Sequence, residues 1–144
     1  MPSRSSLEVR RFRRAAEERY KEARFLLSNE FTTAAVYLAG YAVECALRAL
    51  LLWNKPVSRH LATLAGFRGA KAHDFEWLRM QLDHRHVHIP RQMLVHLQSV
   101  GRWTTDLRYD PTTLDEGIAR EFLNSANELL KWAKGRLYCQ LRRQ

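Results

Sequence analysis

The stretch from Phe31 to Trp53 constrains this chain more than any other. It is apolar almost all round and long enough for about six helical turns. A helix without a polar face cannot lie on a surface, so other elements must enclose it. Glu44 and Arg48 lie inside it, and no charged leader with a small-residue cleavage site precedes it. The segment therefore reads as the core helix of a soluble, cytoplasmic domain, with no signal peptide and no membrane span. Its polar exceptions are ordered. Thr33, Tyr37, Gly40, Glu44 and Arg48 recur at three or four residues and share one narrow strip. Glu44 and Arg48, four apart, can pair along it.

Amphipathic helices flank this core. Val9, Phe12, Ala16, Tyr20, Ala23 and Leu27 make one face of a first helix that ends near Asn29, with Ser5 and Glu8 at capping-box spacing at its start. Pro56 stops the central helix. Residues 54–72 form a loop region in which Leu61, Leu64 and Phe67 can make a short helical turn. A third helix starts near Asp74 with Phe75, Leu78 and Leu82 inward, and DHRHVHIP breaks it. Pro90 suits the start of a fourth helix, faced by Met93, Leu94, Leu97 and Val100 and closed at Gly101. After the loop RWTTDLRYDP, Thr113 and Glu116 have capping-box spacing. Ile118, Phe122, Ala126, Leu129, Ala133 and Leu137 then stripe a long last helix. At 144 residues and 46% hydrophobic content, the chain reads as one all-α domain over 1–144, an up-and-down bundle of four to five helices.

The net charge of +9 favours a polyanionic partner, and arginine supplies most of the 24 basic residues, which suits phosphate or carboxylate recognition. The excess is spread along the chain, so an ordinary solvated surface fits it as well. Cys45 and Cys139 fall in apolar helical patterns and read as reduced, buried thiols. His84, His86 and His88 alternate, but no Cys or acid completes a metal set; they read as an exposed, pH-sensitive loop, and neither metal nor cofactor is expected. The four tryptophans read as core or interface residues. The glycines of GFRGAKAH follow no strand, so they make no phosphate loop.

Three segments carry a resemblance. Tyr37–Leu51 (YLAGYAVECALRALL) is similar to the central helix of HEPN domains, with its Gly/Tyr/Ala start, a Glu, and a basic residue four on. His73-Asp74-Phe75-Glu76-Trp77-Leu78 resembles the His-Asp-Leu opening of that family's next helix. Trp103 through Asp106-Leu107-Arg108-Tyr109-Asp110-Pro111 resembles its Arg-Tyr segment before the last helix. Order and spacing agree over about residues 5–140. The resemblance implies a helical bundle that dimerises, associates with nucleotides or RNA, and works beside a small nucleotidyltransferase in toxin–antitoxin-like pairs. It also implies that some members are metal-independent ribonucleases using an Arg and a His with four to six residues between them.

That spacing occurs here as Arg68/His73, Arg79/His84, Arg79/His86 and Arg91/His96. With many arginines in a short chain, chance alone supplies such pairs. His could act as general base or acid on a 2′-hydroxyl, and Arg could stabilise the phosphorane. Arg91/His96, on one helix, is the best-placed pair; however, no His follows His96, and Asp110 follows Arg108-Tyr109. Glu44 and Arg48 are either a structural ion pair, which Arg108 could complete, or, with Arg108 and Tyr109, the lining of a nucleotide-facing groove. The expectation is a HEPN-like module binding nucleotide or RNA, dimeric and paired with a nucleotidyltransferase-type partner in a toxin–antitoxin-like or defence system. The alternatives are a ribonuclease toxin using the Arg/His pair and a non-catalytic structural adaptor.

Overall fold

The computed structural model describes residues 6–141, with side chains through Leu137. Among these residues the chain is all-helical: α1 Leu7–Ser28, α2 Thr32–Trp53, α3 His60–Ala65, α4 Phe75–His84, α5 Arg91–Val100 and α6 Glu116–Leu141, with short 3-10 turns between. α3 is the helical turn expected around Leu61 and Leu64. The remaining five are the helices that periodicity marks out.

α2 is the axis of the bundle. α1, α4 and α6 pack on it, and α5 packs on α6. Val43, Leu47, Leu50, Leu51 and Leu52 are fully buried along it, and Leu78, Leu82, Leu123 and Leu129 come in from its neighbours. By length and composition alone α2 could cross a membrane, but most of it is enclosed by the other helices.

The local stops are set by backbone geometry. α1 and α4 both end in paired six-to-one and five-to-two hydrogen bonds: Phe31 N–H to Leu26 O and Glu30 N–H to Leu27 O, then Val87 N–H to Leu82 O and His86 N–H to Asp83 O. Such an ending needs a left-handed residue just past the cap, and Glu30 (φ 67°) and His86 (φ 59°) fill that place where glycine is usual. Beyond His86 the chain is anchored by buried Val87 and Ile89, while His84, His86 and His88 stay exposed.

Two starts differ from the capping boxes read in the sequence. Ser6 caps α1, its Oγ accepting from Val9 N–H at 3.2 Å; Ser5 lies outside the described residues. Asp115 caps α6, its Oδ2 accepting from Ile118 N–H at 3.2 Å, in place of Thr113. The α4 start is as expected. Asp74 Oδ1 accepts from the backbone N–H of Glu76 at 2.9 Å and of Trp77 at 3.4 Å. Asp74→Ala should therefore lower the unfolding free energy by about 1 kcal/mol, read as a shift in denaturation midpoint at constant slope.

Candidate functional site

The polar strip of α2 meets three other segments, and each is fixed by identifiable contacts. At its N-terminal end, Thr32 Oγ1 donates to Leu114 O at 2.7 Å and Thr33 Oγ1 to Thr112 O at 2.5 Å. These bonds clasp the segment before α6 against α2 and set the 3-10 turn Thr105–Tyr109 beside Tyr37. One turn further on, Gly40 leaves room for Trp103, whose Nε1 donates to Tyr37 O at 3.1 Å. The indole stacks on Phe75 (5.4 Å, 11°) and meets Tyr41 edge-on at 5.0 Å.

Glu44 lies further along the strip and is 3% exposed. Its Oε1 takes a 2.6 Å hydrogen bond from His73 Nδ1, and its Oε2 faces Arg48 Nη2 at 3.3 Å. Arg48 Nη2 also donates to Ala72 O at 3.0 Å, which fixes the turn that carries His73. The Arg48 guanidinium lies over Phe67 at 4.9 Å and near Phe12 at 5.8 Å. These ring faces stand in for a partner at its buried Nε, which makes no hydrogen bond. The sequence expectation of a Glu44–Arg48 pair holds, but His73 completes it where Arg108 was the candidate. Burial pushes the Glu44 carboxyl above the usual carboxylate range, and Arg48 and His73 oppose that shift.

His73 is 37% exposed at its side chain and has Tyr41 edge-on at 6.3 Å. With Nδ1 donating to the carboxylate, Nε2 is the ring nitrogen that makes no hydrogen bond among the described residues. Tyr37 and Tyr41 connect this cluster to the loop. Their rings meet edge-on at 5.0 Å and their hydroxyls at 3.4 Å. Burial, then Tyr37 and the charge of Glu44, push the Tyr41 phenol up to about 12, while Arg108 pulls it down. Arg108 is exposed, 4.8 Å from the centre of the Tyr109 ring, and Tyr109 is 74% exposed. Beside them is a hollow of about 410 Å³ lined by Phe31, Thr33, Tyr37, Arg108, Asp110 and Thr112, among others.

Glu44, Arg48, Arg108 and Tyr109 thus lie along one route over α2, Glu44 buried, Arg48 partly buried and the last two at the surface, with Tyr37 and Tyr41 between them. Arg91 and His96 do not come together. Five residues turn a helix by about 140° past alignment, so Arg91 is exposed while His96 Nδ1 lies 3.1 Å from Ser125 Oγ on α6. Sequence reasoning does not single out His73, the residue that reaches Glu44. Its signals were the Arg68/His73 spacing and the His-Asp opening of α4, seen separately. No three His, Cys, Asp or Glu side chains converge on a metal-sized space among the described residues. Cys45 is free and half-buried, and burial pushes its thiol up to about 11; the Cys139 side chain lies outside the described ones.

A family model for the HEPN domain matches residues 9–136, nearly the whole chain. The chain belongs to the HEPN domain family. In general terms that makes it a nucleotide- or RNA-related helical module. No curated protein and no solved structure matches it.

Proposed function

We propose that this HEPN domain binds nucleotide or RNA along the route from Arg108 to His73. It would act as a homodimer, paired with a small nucleotidyltransferase in a toxin–antitoxin-like or defence system. The observation that supports the reading is the joined strip: an arginine and a tyrosine ring at the surface, a hollow beside them, and an oriented histidine over a buried carboxylate. Arg108 offers a planar fork to phosphate, and the exposed Tyr109 ring offers a face to a base.

A second reading adds RNA cleavage, and the Glu44–His73 contact favours it. His73 Nε2 would take the 2′-hydroxyl proton as that oxygen attacks phosphorus, Glu44 would steady the resulting imidazolium, an arginine would stabilise the phosphorane, and as the P–O5′ bond breaks the imidazolium would return the proton to the leaving 5′-oxygen. Arg68, five residues before His73, is exposed and is the candidate. Arg91/His96 is the competing pair.

Fluorescence anisotropy with labelled single-stranded RNA and with ATP tests the first reading. Affinity should fall steeply with salt, and Arg108→Gln should weaken it roughly tenfold, whereas His96→Ala should leave it unchanged. A cleavage assay on the same RNA separates the other readings. Activity lost in His73→Ala and kept in His96→Ala assigns the chemistry to the Glu44 dyad; the reverse assigns it to Arg91/His96. No binding to RNA or ATP at low salt leaves the structural adaptor.

A further inference from the structure

At the far end of α2 lies a second concentration of charge that the strip does not use. Trp53, the last residue of α2, follows Tyr37 by 16 positions, about 24 Å along the helix, and Lys55 lies just beyond it. Here Lys55, Pro56, Arg59, Gln81, His84 and Arg85 surround a hollow of about 380 Å³. Three of the six are permanent or near-permanent cations and a fourth is histidine. No carboxylate lines the hollow, although the chain elsewhere pairs its arginines freely with acids, as in Arg79 with Glu76 and Asp83 or Arg120 with Glu116. Among the described residues the side chains of Lys55, Arg59 and His84 make no hydrogen bond or ion pair.

The hollow is held in shape from behind. Arg85 donates from Nε and Nη2 to Asn54 O at 3.1 and 2.8 Å, which fixes both its own guanidinium and the end of α2. Buried His60 holds the next carbonyl, Lys55 O, through Nε2 at 2.9 Å. Pro56 stiffens the third residue. The cations are thus kept together despite their repulsion. Burial, and then Arg85 and Arg59, hold the Lys55 ammonium below the usual lysine range. Like charges gathered on a braced loop without a counter-charge are relieved by an anion.

We propose that this hollow is a binding site for a multiply charged phosphoryl group, an oligophosphate chain or a terminal triphosphate. The lining selects phosphate over base: it contains no Trp, Tyr or Phe to stack on, and its donors are a point-charge lysine and the planar forks of arginine. Two sources share that chemistry, a free inorganic oligophosphate and the 5′ end of an RNA.

The test is titration calorimetry of the full chain with inorganic tripolyphosphate at moderate salt. Lys55→Gln and Arg59→Gln, both changes of side chains without protein partners, should each weaken binding by roughly tenfold or more. Arg136→Gln, an equal loss of charge at an exposed position on α6, should not. The α2 strip is read separately, by Arg108→Gln in the anisotropy assay with RNA lacking a 5′-triphosphate, so that failure of the strip and failure of this site are told apart. Equal loss in Arg136→Gln, or no loss in Lys55→Gln and Arg59→Gln, overturns the proposal. RNA of one sequence with a 5′-triphosphate and with a 5′-hydroxyl then identifies the source. A triphosphate-dependent gain that vanishes in Lys55→Gln supports the RNA end, and tripolyphosphate binding without that gain supports the free ligand.

Discussion

Gly40→Ala should cost this domain roughly 3 kcal/mol of stability, at the upper end for added core volume. A Cβ at this position would sit 2.0 Å from Trp103 Nε1 and 2.1 Å from its Cε2. The indole cannot yield cheaply. It is buried, stacked on Phe75, edge-on to Tyr41, and hydrogen-bonded to Tyr37 O. Moving it would open the aromatic cluster and leave its N–H unpaired. The denaturation midpoint of Gly40→Ala is the first measurement. The second is a double-mutant cycle with Trp103→Leu, in which the alanine should become far less harmful. An unchanged penalty in that background would mean that the cost arises elsewhere.

Glu44→Ala should cost about 3 kcal/mol, because it removes the counter-charge from the partly buried Arg48 and the acceptor from His73. Glu44→Gln keeps one acceptor and should lose less than half as much. The pH profile separates charge from shape. The folded carboxyl titrates above its unfolded value, so its proton is held more tightly in the native state. That contribution is complete below the ordinary carboxylate value and is lost as pH rises through the folded value. Melting temperatures followed upward from about pH 4.5, near the ordinary carboxylate value, should show this decline in the natural protein and not in Glu44→Gln. The same slope in both would assign the titration to another group.

The parts of this molecule that were legible in the sequence are those governed by one helix at a time. The enclosure of α2 follows from its missing polar face, and its strip from a three- and four-residue spacing. The pairing of Glu44 with Arg48 is likewise a local matter. The cap positions slipped because SRSS and TTLDE each offer several oxygens in succession, and only three-dimensional placement chooses among them. His73 was out of reach for a different reason. It approaches Glu44 across 29 positions, on a turn fixed by an arginine bond to a backbone carbonyl, and no periodicity encodes that. Trp103 sits in a segment that reads as loop, yet its ring completes the core at the one place where α2 has no side chain. Arg91 and His96 show what spacing alone leaves open: five residues apart on α5, one side chain is exposed and the other faces Ser125.

The hydrogen bonds of His60 carry a consequence for how the chain comes together. Lys55 O can only accept, so Nε2 carries the proton, and in the neutral ring Nδ1 accepts from the Ser6 hydroxyl at 2.7 Å. That same hydroxyl accepts from Val9 N–H. One oxygen therefore closes the first turn of the chain's opening helix and latches it to a joint 54 positions later. The beginning of α1 is not a free end that can fray by itself. Fraying of that first turn has to break the bond to His60 as well as the cap, which couples it to the Lys55 joint.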